Sequence, residues 1–155
     1  MKLKPNKSFQ AINVDSGDEL YPNVIFEFNI TKLIEHIKVN PDAFPVEEVA
    51  LDTLWESSLE LDETAIQAAN LAVPIILAEI SPGRFNVVDG NHRVAKARRD
   101  GFKSLPAYKV SPDRHYRFLT SANAYKKYVE YWNSKVADIG RATKYERMEA
   151  LGFRS

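Results

Sequence analysis

The amino-acid sequence predicts an α/β (α+β) fold, in which helices pack on a small mixed sheet and further helices follow at the C-terminal end. Two apolar runs of strand length, Pro74–Ile80 and Phe85–Val88, are separated by a Ser-Pro-Gly turn. A helical stretch from about Asn91 to Asp100 then leads into a third run, Leu105–Val110. This β–turn–β–loop–α–β order indicates a mixed sheet covered by a helix.

The first 70 residues predict a series of short elements. Stretches rich in β-branched and aromatic residues indicate strands, a polar residue before an amphipathic stretch indicates a helix start, and proline ends a helix. In chain order these rules give a short strand at Ser8–Val14, a turn at Asp15–Asp18, a strand at Val24–Phe28, a helix capped by Thr31 and broken at Asn40-Pro41, an extended segment at Val46–Leu51, and a helix from Asp62 to about Leu71.

The C-terminal third is predicted to be helical. Gly101 is placed to end the preceding helix, and Ser121 is placed to cap the next one. That helix carries an apolar stripe at spacing i, i+3, i+4 and i+7, formed by Tyr125, Tyr128, Val129 and Trp132. A capping-box pattern at Thr143 predicts a separate last helix that ends at Gly152. We expect the stripe, like Trp55, to serve packing rather than ligand binding.

Composition indicates one domain, because 155 residues with 45% apolar content suit a single core. We expect residues 1–115 to form the α/β unit and residues 116–155 to form a helical extension packed on it. The chain has no cysteine, which excludes disulfides, thiolate metal sites and cysteine nucleophiles. No apolar run approaches the ~20 residues that cross a bilayer, and the N-terminus lacks a signal-like apolar stretch. A cytoplasmic protein without membrane contact is therefore expected.

The zero net charge conceals an asymmetry along the chain. Residues 1–80 hold 5 Lys+Arg and 14 Asp+Glu, whereas residues 81–155 hold 16 and 7. A basic half suggests an anionic partner such as DNA, and the alternative is that the two halves face each other within the fold. For DNA, basic residues interleaved with aromatic ones in the C-terminal third would follow the phosphate backbone. These basic residues are Arg114, Arg117, Lys126, Lys127, Lys135, Arg141, Lys144 and Arg147.

The loop–helix junction from Asp89 to Arg93 is the best candidate site. The first N–H groups of a helix lack internal partners and carry partial positive charge, so they bind phosphate. Gly90 lets the backbone turn and approach a ligand closely, and Asn91 is placed to be the N-cap. His92 and Arg93 then lie in the first turn. Because cations are unfavourable there, a basic first turn is expected where an anion binds.

One face of the same helix is basic. His92, Lys96 and Arg99 fall on one line at i, i+4 and i+7, and Val94 and Ala97 lie on the other side. This pattern is consistent with cations that surround a polyanion. The alternative is a solvated basic face on a surface helix.

Asp89 ends a predicted strand directly before the junction. A carboxylate there can hold Mg²⁺ or accept a proton from an attacking hydroxyl. The alternatives are that Asp89 bonds the following turn or neutralises Arg93. The remaining histidines, His36 and His115, have no metal-ligand spacing with His92, and we expect both to be ordinary, partly exposed side chains.

Three stretches resemble the ParB N-terminal/sulfiredoxin (ParB/Srx) superfamily in order and spacing. In that family a strand beginning Pro-Ile leads to a second strand, a Gly-x-His-Arg or Gly-Glu-Arg-Arg motif opens a helix, and a Gly…(Ile/Leu)-Pro-Ala segment follows. The matching stretches are Val73–Ile76, Phe85–Ala97 and Gly101–Tyr108. The resemblance covers roughly a quarter of the chain. Residues 1–70 match loosely, through Val49–Trp55, and the C-terminal helices match no family pattern.

The resemblance implies a nucleotide site in which Gly90, His92 and Arg93 contact phosphates. Asp89 resembles the acid that precedes the motif in the serine-kinase branch of the superfamily. Where sulfiredoxin has a cysteine, this chain has Asn91, so sulfiredoxin reductase activity is excluded. Asn91-His92 also replaces the Glu-Arg of partition proteins, and few residues follow Val110. A complete partition clamp is therefore not expected.

Three functions follow from these observations. The first is a nucleotide-dependent phosphotransferase or phosphohydrolase that uses ATP or CTP with Mg²⁺. Its catalytic residues would be Asp89 and His92, its metal ligand Asp89, and its ligand-binding residues Gly90, Asn91, His92, Arg93 and Lys96. A second carboxylate would come from Glu47, Glu48, Asp52 or Glu56. The alternatives are a ParB-like DNA-binding protein or nuclease, and a non-catalytic nucleotide sensor that oligomerises through its aromatic C-terminal helices.

Overall fold

The structure is a computed structural model that describes residues 1–21, 26–54 and 60–150, excepting the side chains of 145–147, 149 and 150. Its mixed helix and strand content confirms the predicted α+β class. Within these ranges the strands are β1 (Leu20–Tyr21), β2 (Phe28–Asn29), β3 (Glu47–Ala50), β4 (Ile75–Ser81), β5 (Arg84–Asp89) and β6 (Ser104–Val110). The α-helices are α1 (Ile30–Val39), α2 (Glu63–Ala68), α3 (Asn91–Arg99), α4 (Pro112–His115) and α5 (Ala122–Ala150).

The main sheet has four strands in the order β3-β6-β4-β5. β4 and β6 lie parallel in its centre, and β3 and β5 pair antiparallel at its edges. β1 and β2 form a separate two-stranded ladder. The predicted order of two strands, a helix and a third strand is confirmed by β4, β5, α3 and β6. The extended segment predicted at Val46–Leu51 is confirmed as β3.

β4 is buried on both faces and separates two apolar cores. Ile75 and Leu77 pack beneath α3, in a core that includes Val94. Ile76 and Ala78 point the opposite way, into a larger core that includes the aromatic residues of α5. Alternate residues of a strand point to opposite faces, so a strand covered on both sides is apolar along its length.

The strand predicted at Ser8–Val14 is wrong. These residues form no strand, and the backbone here is held by side chains rather than by a neighbouring ladder. The carbonyl of Asn13 accepts hydrogen bonds from the side chains of Asn29 (3.3 Å) and Lys32 (2.5 Å). The turn predicted after this segment is present, and Gly17 within it has a positive φ.

The N-cap of α1 is Asn29 and not Thr31. The Asn29 side chain accepts a hydrogen bond from the amide of Lys32 (3.1 Å). Thr31 instead accepts a hydrogen bond from the amide of Glu19 (2.8 Å), so it joins α1 to the segment before β1. The helix ends before Pro41, as predicted.

Asp62 caps α2 as predicted, and its carboxylate accepts an amide hydrogen bond in the first turn (3.3 Å). The helix ends at Ala68, before the predicted end at Leu71. Asn70 explains the early end, because its side chain accepts a hydrogen bond from the amide of Ala72 (3.0 Å) and forms a turn there.

The C-terminal third contains one long helix, α5, instead of the two predicted. Ser121 caps it as predicted and accepts a hydrogen bond from the amide of Ala124 (3.0 Å). Thr143 lies inside α5, where its hydroxyl donates to the carbonyl of Ile139, one turn earlier (3.1 Å). The helical ladder thus continues through the capping-box pattern. Predictions that concern Val24, Ile25, Trp55 and Gly152 lie outside the described residues.

No sequence pattern predicted α4 or the 3-10 turn Tyr116–Phe118 that follows it. Both lie between β6 and α5 and contribute His115 and Phe118 to the core beneath α5. None of the helices in the described part of the chain combines the length and apolar content needed to span a membrane.

Candidate functional site

β5 passes directly into α3 through Gly90. This residue has a φ of +107°, which L side chains rarely adopt, and it is the N-cap of α3. A Cβ atom at this position would lie 2.5 Å from Cγ2 of Ile75 and 3.2 Å from Cζ of Arg93. The N-cap predicted at Asn91 is wrong by one residue. Asn91 is already helical, and its side-chain amide donates to the carbonyl of Val87 (3.3 Å).

An open cavity of about 300 Å³ lies at this junction. The predicted residues Asp89, Gly90, Asn91, His92 and Arg93 all line it, so the structure brings them together. The other lining residues were not predicted, and they are Glu19, Ala65, Ala69, Asn70, Val73 and Val88. The candidate site is therefore a cleft between the start of α3 and the region of α2.

The start of α3 gives this cleft a partial positive charge. Among the described residues, no acceptor takes a hydrogen bond from the amides of Asn91, His92 and Arg93. The first helical hydrogen bond runs from the amide of Val94 to the carbonyl of Gly90 (3.0 Å). Unpaired amides at a helix start, together with the macrodipole, favour an anion.

Arg93 is held by three oxygens at the edge of the cavity. Its guanidinium donates to Oδ2 of Asp89 (2.9 Å) and to the carbonyls of Val73 (2.8 Å) and Pro74 (2.7 Å). The ion pair between Asp89 and Arg93, one of the alternatives given for Asp89, is therefore present. An arginine has five N–H donors, so about two remain for a further acceptor. Oδ1 of Asp89 forms no hydrogen bond to a described residue.

His92 is oriented by the start of α2. The amide of Asp62 donates to Nε2 of His92 (3.3 Å). Nε2 therefore acts as an acceptor, and the neutral imidazole carries its proton on Nδ1. A defined tautomer gives His92 one N–H group with which to contact a ligand.

The rest of the basic face of α3 binds α2. Lys96 donates to the carbonyls of Gln67 (2.9 Å) and Ala69 (3.0 Å). Arg99 forms two hydrogen bonds to the carboxylate of Glu63, the longer of them 2.8 Å. Lys96 is not among the cavity-lining residues, so this arrangement leaves it out of the ligand site. The row of cations that the sequence predicted on one face of α3 therefore holds α2 in place beside α3.

Replacing Lys96 with methionine is expected to lower the free energy of unfolding by about 1–2 kcal/mol, because two carbonyls lose a charged donor while the aliphatic stem remains. Urea unfolding measures this loss. Hydrogen exchange should also show faster exchange of the α2 amides. The matched control is Lys103→Met, because Lys103 is exposed and its side chain bonds no described residue. Equal stabilities of the two variants would contradict the proposed tether.

Glu19 is a second acidic residue in the cavity lining, and no sequence pattern pointed to it. Of the predicted candidates, Glu47 and Glu48 instead interact with side chains of β6. Asp52 does not line the cavity, and Glu56 lies outside the described residues. No local pattern marks Glu19, because its position depends on the pairing of β1 with β2. The described residues contain no group of three or more His, Asp or Glu side chains that could hold a metal.

His115 is fully buried, which contradicts the expectation of partial exposure. Its Nε2 donates to the carbonyl of Glu79 (2.8 Å), which also accepts from the hydroxyl of Tyr128 (2.7 Å). Nδ1 has no hydrogen-bond partner among the described residues. Burial lowers the pKa of His115 to about 4, so the side chain is neutral near pH 7. His36 is partly exposed, as predicted.

The aromatic stripe of α5 packs in the core, as predicted. Tyr128 and Trp132 are buried, and Tyr125 stacks on Phe9 with a centroid distance of 4.2 Å. Side chains used for packing are not available to stack on nucleic-acid bases. Among the described side chains, the pattern interpreted as DNA-binding thus consists of cations such as the exposed Lys126 and Lys127 and of aromatic rings that lie in the core or pack against it.

The acidic and basic parts of the chain meet within the fold. Glu63 pairs with Arg99, and Glu47 pairs with Lys109 at 3.3 Å. Both pairs join residues 1–80 to residues 81–155. The intramolecular interpretation of the charge asymmetry is thus supported at these two places.

The comparisons with known proteins add no relative. The chain matches none of the protein-family models, and no curated protein matches it. The resemblance of Val73–Val110 to the ParB/Srx superfamily therefore stays a prediction from its motifs.

Proposed function

We propose that the cleft at the start of α3 binds the phosphates of a nucleotide, ATP or CTP, together with Mg²⁺. One observation carries this proposal: an open cavity of about 300 Å³ includes a helix start whose first amides are unpaired among the described residues. Phosphate oxygens accept hydrogen bonds from such amides. The volume is at the lower end of the range for ligand pockets, roughly 300–1,000 Å³, and suits the phosphates with the base toward the open side.

Two side chains supplement the amides. Arg93 has about two N–H donors left after its three hydrogen bonds, and His92 has an N–H at Nδ1. Asp89 and two backbone carbonyls fix the position of Arg93, and the Asp62 amide fixes the ring of His92. Side chains ordered before binding lose little entropy when the ligand arrives, which favours affinity.

The two acidic residues of the cavity lining are the reason to include Mg²⁺ in the proposal. Asp89 and Glu19 would repel a bare phosphate, whereas carboxylates and phosphates together are suitable ligands for Mg²⁺. Oδ1 of Asp89 is unpaired among the described residues and can contribute to such a site. When bound, the metal supplies charge neutralisation for the phosphates during transfer. Two carboxylates form only part of an octahedral shell, so phosphate and water oxygens would complete it.

Asp89 gives the site a group that can accept a proton. Arg93 bonds Oδ2 of Asp89, and Oδ1, when it does not hold the metal, can take the proton of a hydroxyl that attacks a phosphoryl group. With His92 and Arg93 on the phosphates, the reaction class is phosphotransfer or phosphate hydrolysis. The proposed phosphotransfer or phosphate hydrolysis agrees with the nucleotide site that the resemblance to the ParB/Srx superfamily implies for this segment.

Thermal unfolding with ATP, ADP, CTP and GTP in the presence of Mg²⁺ tests the proposal. A nucleotide at a hundredfold excess over its Kd should raise the Tm by about 5–10 °C for a chain of this size. The informative variant is His92→Glu. A glutamate can still accept from the Asp62 amide and is favourable in a first helical turn, yet its charge repels phosphate. We expect His92→Glu to keep its stability and lose the Tm shift.

The matched control is Asn123→Asp, which adds the same charge in the first turn of α5, outside the cavity lining. It should keep the nucleotide-dependent shift. The absence of any shift in the unmodified protein, or an equal shift in His92→Glu, would refute nucleotide binding at this site. Catalysis is tested separately with Asp89→Asn, which retains an oxygen for Arg93 and should bind nucleotide without turnover.

A further inference from the structure

Residues 1–9, which we name the strap, run along α5 without forming a strand or a helix. Side chains of α5 bind the strap through its backbone. Nε1 of Trp132 donates to the carbonyl of Met1 (2.8 Å). The side-chain amide of Asn133 bonds both sides of Leu3, accepting from its N–H (2.7 Å) and donating to its carbonyl (3.0 Å). This paired contact recognises an extended backbone whatever side chain it carries.

The second half of the strap is bound by tyrosines. The hydroxyl of Tyr125 accepts a hydrogen bond from the amide of Asn6 (2.6 Å), and its ring stacks on Phe9. Phe9 also contacts the ring of Tyr116, at a centroid distance of 6.2 Å. We name the surface formed by Tyr116, Tyr125, Trp132 and Asn133 the groove. Backbone hydrogen bonds combined with spaced apolar anchors are a recurring mode of binding extended peptides.

The strap fills the groove incompletely. An open cavity of about 250 Å³ remains between strap residues, including Leu3 and Asn6, and a wall that includes Tyr125, Tyr128 and Val129. Atoms that line a void lack contacts on one side and lose dispersion energy there. The strap is held by a few hydrogen bonds and by two half-buried anchors, Leu3 and Phe9, that pack against the larger core.

The connection behind the strap is short. Ile12 packs against the core that includes α1, and the carbonyl of Asn13 bonds Lys32 of α1, so Gln10 and Ala11 form the hinge between strap and domain. Gln10 and Ala11 are exposed, and no strand or helix includes the hinge. Elements on short hinge loops are readily exchanged between identical chains, because a partner offers the same contacts.

We propose that the groove is an interface between copies of this chain, in which the strap of one molecule occupies the groove of another and a reciprocal dimer results. Each groove in the dimer receives the same backbone hydrogen bonds and the same two anchors that the strap provides within one chain. The groove already fits residues 1–9, so a second copy is the partner whose chemistry the structure specifies. This proposal uses no residue of the nucleotide cleft.

Complementation between two full-length variants tests strap exchange. The strap variant, Leu3→Ser with Phe9→Ser, loses the anchors and keeps the groove. The groove variant, Asn133→Ala with Tyr125→Ala, loses the backbone contacts to Leu3 and Asn6 and the stacking on Phe9, and it keeps the strap. Native mass spectrometry should show a heterodimer in the mixture, at least tenfold more abundant than either homodimer. The unmodified protein should give a dimer fraction that rises with concentration.

A second measurement does not depend on the groove variant. A fluorescent peptide with the sequence of residues 1–12 should bind the strap variant at least tenfold more tightly than the unmodified protein, whose own strap competes at high effective concentration. The same peptide with serine at positions 3 and 9 is the control and should bind neither. A mixture of folded variants without heterodimer, or equal peptide binding by the strap variant and the unmodified protein, would overturn the proposal. If either variant fails to fold, the mass of the unmodified protein decides: a monomer at all concentrations overturns the proposal as well.

Discussion

Gly90→Ala is expected to lower the free energy of unfolding by about 2–5 kcal/mol. A left-handed backbone costs an alanine about 1–2 kcal/mol, and crowding in a packed interior costs about 1–3 kcal/mol. The crowding arises because the added methyl group would lie 2.5 Å from Cγ2 and 2.9 Å from Cβ of Ile75. Ile75 is fully buried in the central strand β4, so it can move only if its packed neighbours move as well. Urea unfolding of the variant measures the loss.

Gly83→Ala is the matched control for Gly90→Ala. Gly83 also has a positive φ, +74°, but no heavy atom lies within 4 Å of a Cβ added there. This variant should lose only the backbone contribution, about 1–2 kcal/mol. The difference between the two variants isolates the contact with Ile75. Equal losses would show that β4 can move away from the junction and that the contact with Ile75 costs nothing.

Acid is expected to destabilise the protein by about 3 kcal/mol between pH 6.5 and pH 4 through His115 alone. Burial holds the pKa of His115 at about 4 in the folded protein, against 6.5 for an ordinary histidine. Above pH 6.5 the side chain is neutral in both states, and the full stability is present. As the pH falls below 6.5, the unfolded chain binds a proton that the folded chain does not bind. The loss continues to about pH 4, where the folded state also becomes protonated.

His115→Gln tests this dependence, because a glutamine can donate to the Glu79 carbonyl and does not titrate. The free energy of unfolding, measured from pH 4 to pH 7, should fall less steeply for this variant than for the unmodified protein. His36→Gln is the comparison variant: burial and the nearby Arg117 and Arg114 also lower the pKa of His36, but its side chain is partly exposed, so we expect a smaller change in slope than for His115→Gln. Hydrogen bonds lower the pKa of Asp18 and Glu63 as well, but these carboxylates lose their contribution at lower pH. Identical slopes in His115→Gln and the unmodified protein would contradict the assignment.

The central part of the fold could be predicted from sequence because its signals are local. Pro82 and Gly83 mark the turn between two apolar runs, and Gly101 ends α3 in the predicted place. There the amide of Gly101 bonds the carbonyl of Arg98 (3.3 Å), and the next amide bonds the carbonyl of Ala97 (2.9 Å), which is the expected glycine C-cap geometry. Turn and cap residues act within a few positions of themselves, so their effects can be read without the rest of the fold.

Three of the misassigned side chains depend on tertiary contacts. Lys96 looked like a ligand for phosphate because its periodicity is that of His92, but the partner of that face is α2, which periodicity does not identify. His115 looked exposed because a lone histidine is usually polar and solvated, whereas the carbonyl of Glu79 and the core beneath α5 retain it inside. Glu19 joins the cavity through strand pairing. Each error concerns a side chain whose partner is distant in sequence.

The double burial of β4 has a consequence for how this sequence can change. Each residue of the strand belongs to one layer, so a change of volume at Leu77 is felt on the α3 side and one at Ala78 on the α5 side. Compensating substitutions are therefore expected within a layer and not across the strand. In homologous chains, the residues of the α5 layer can therefore change without changes in the layer beneath Gly90. The two layers can evolve at different rates.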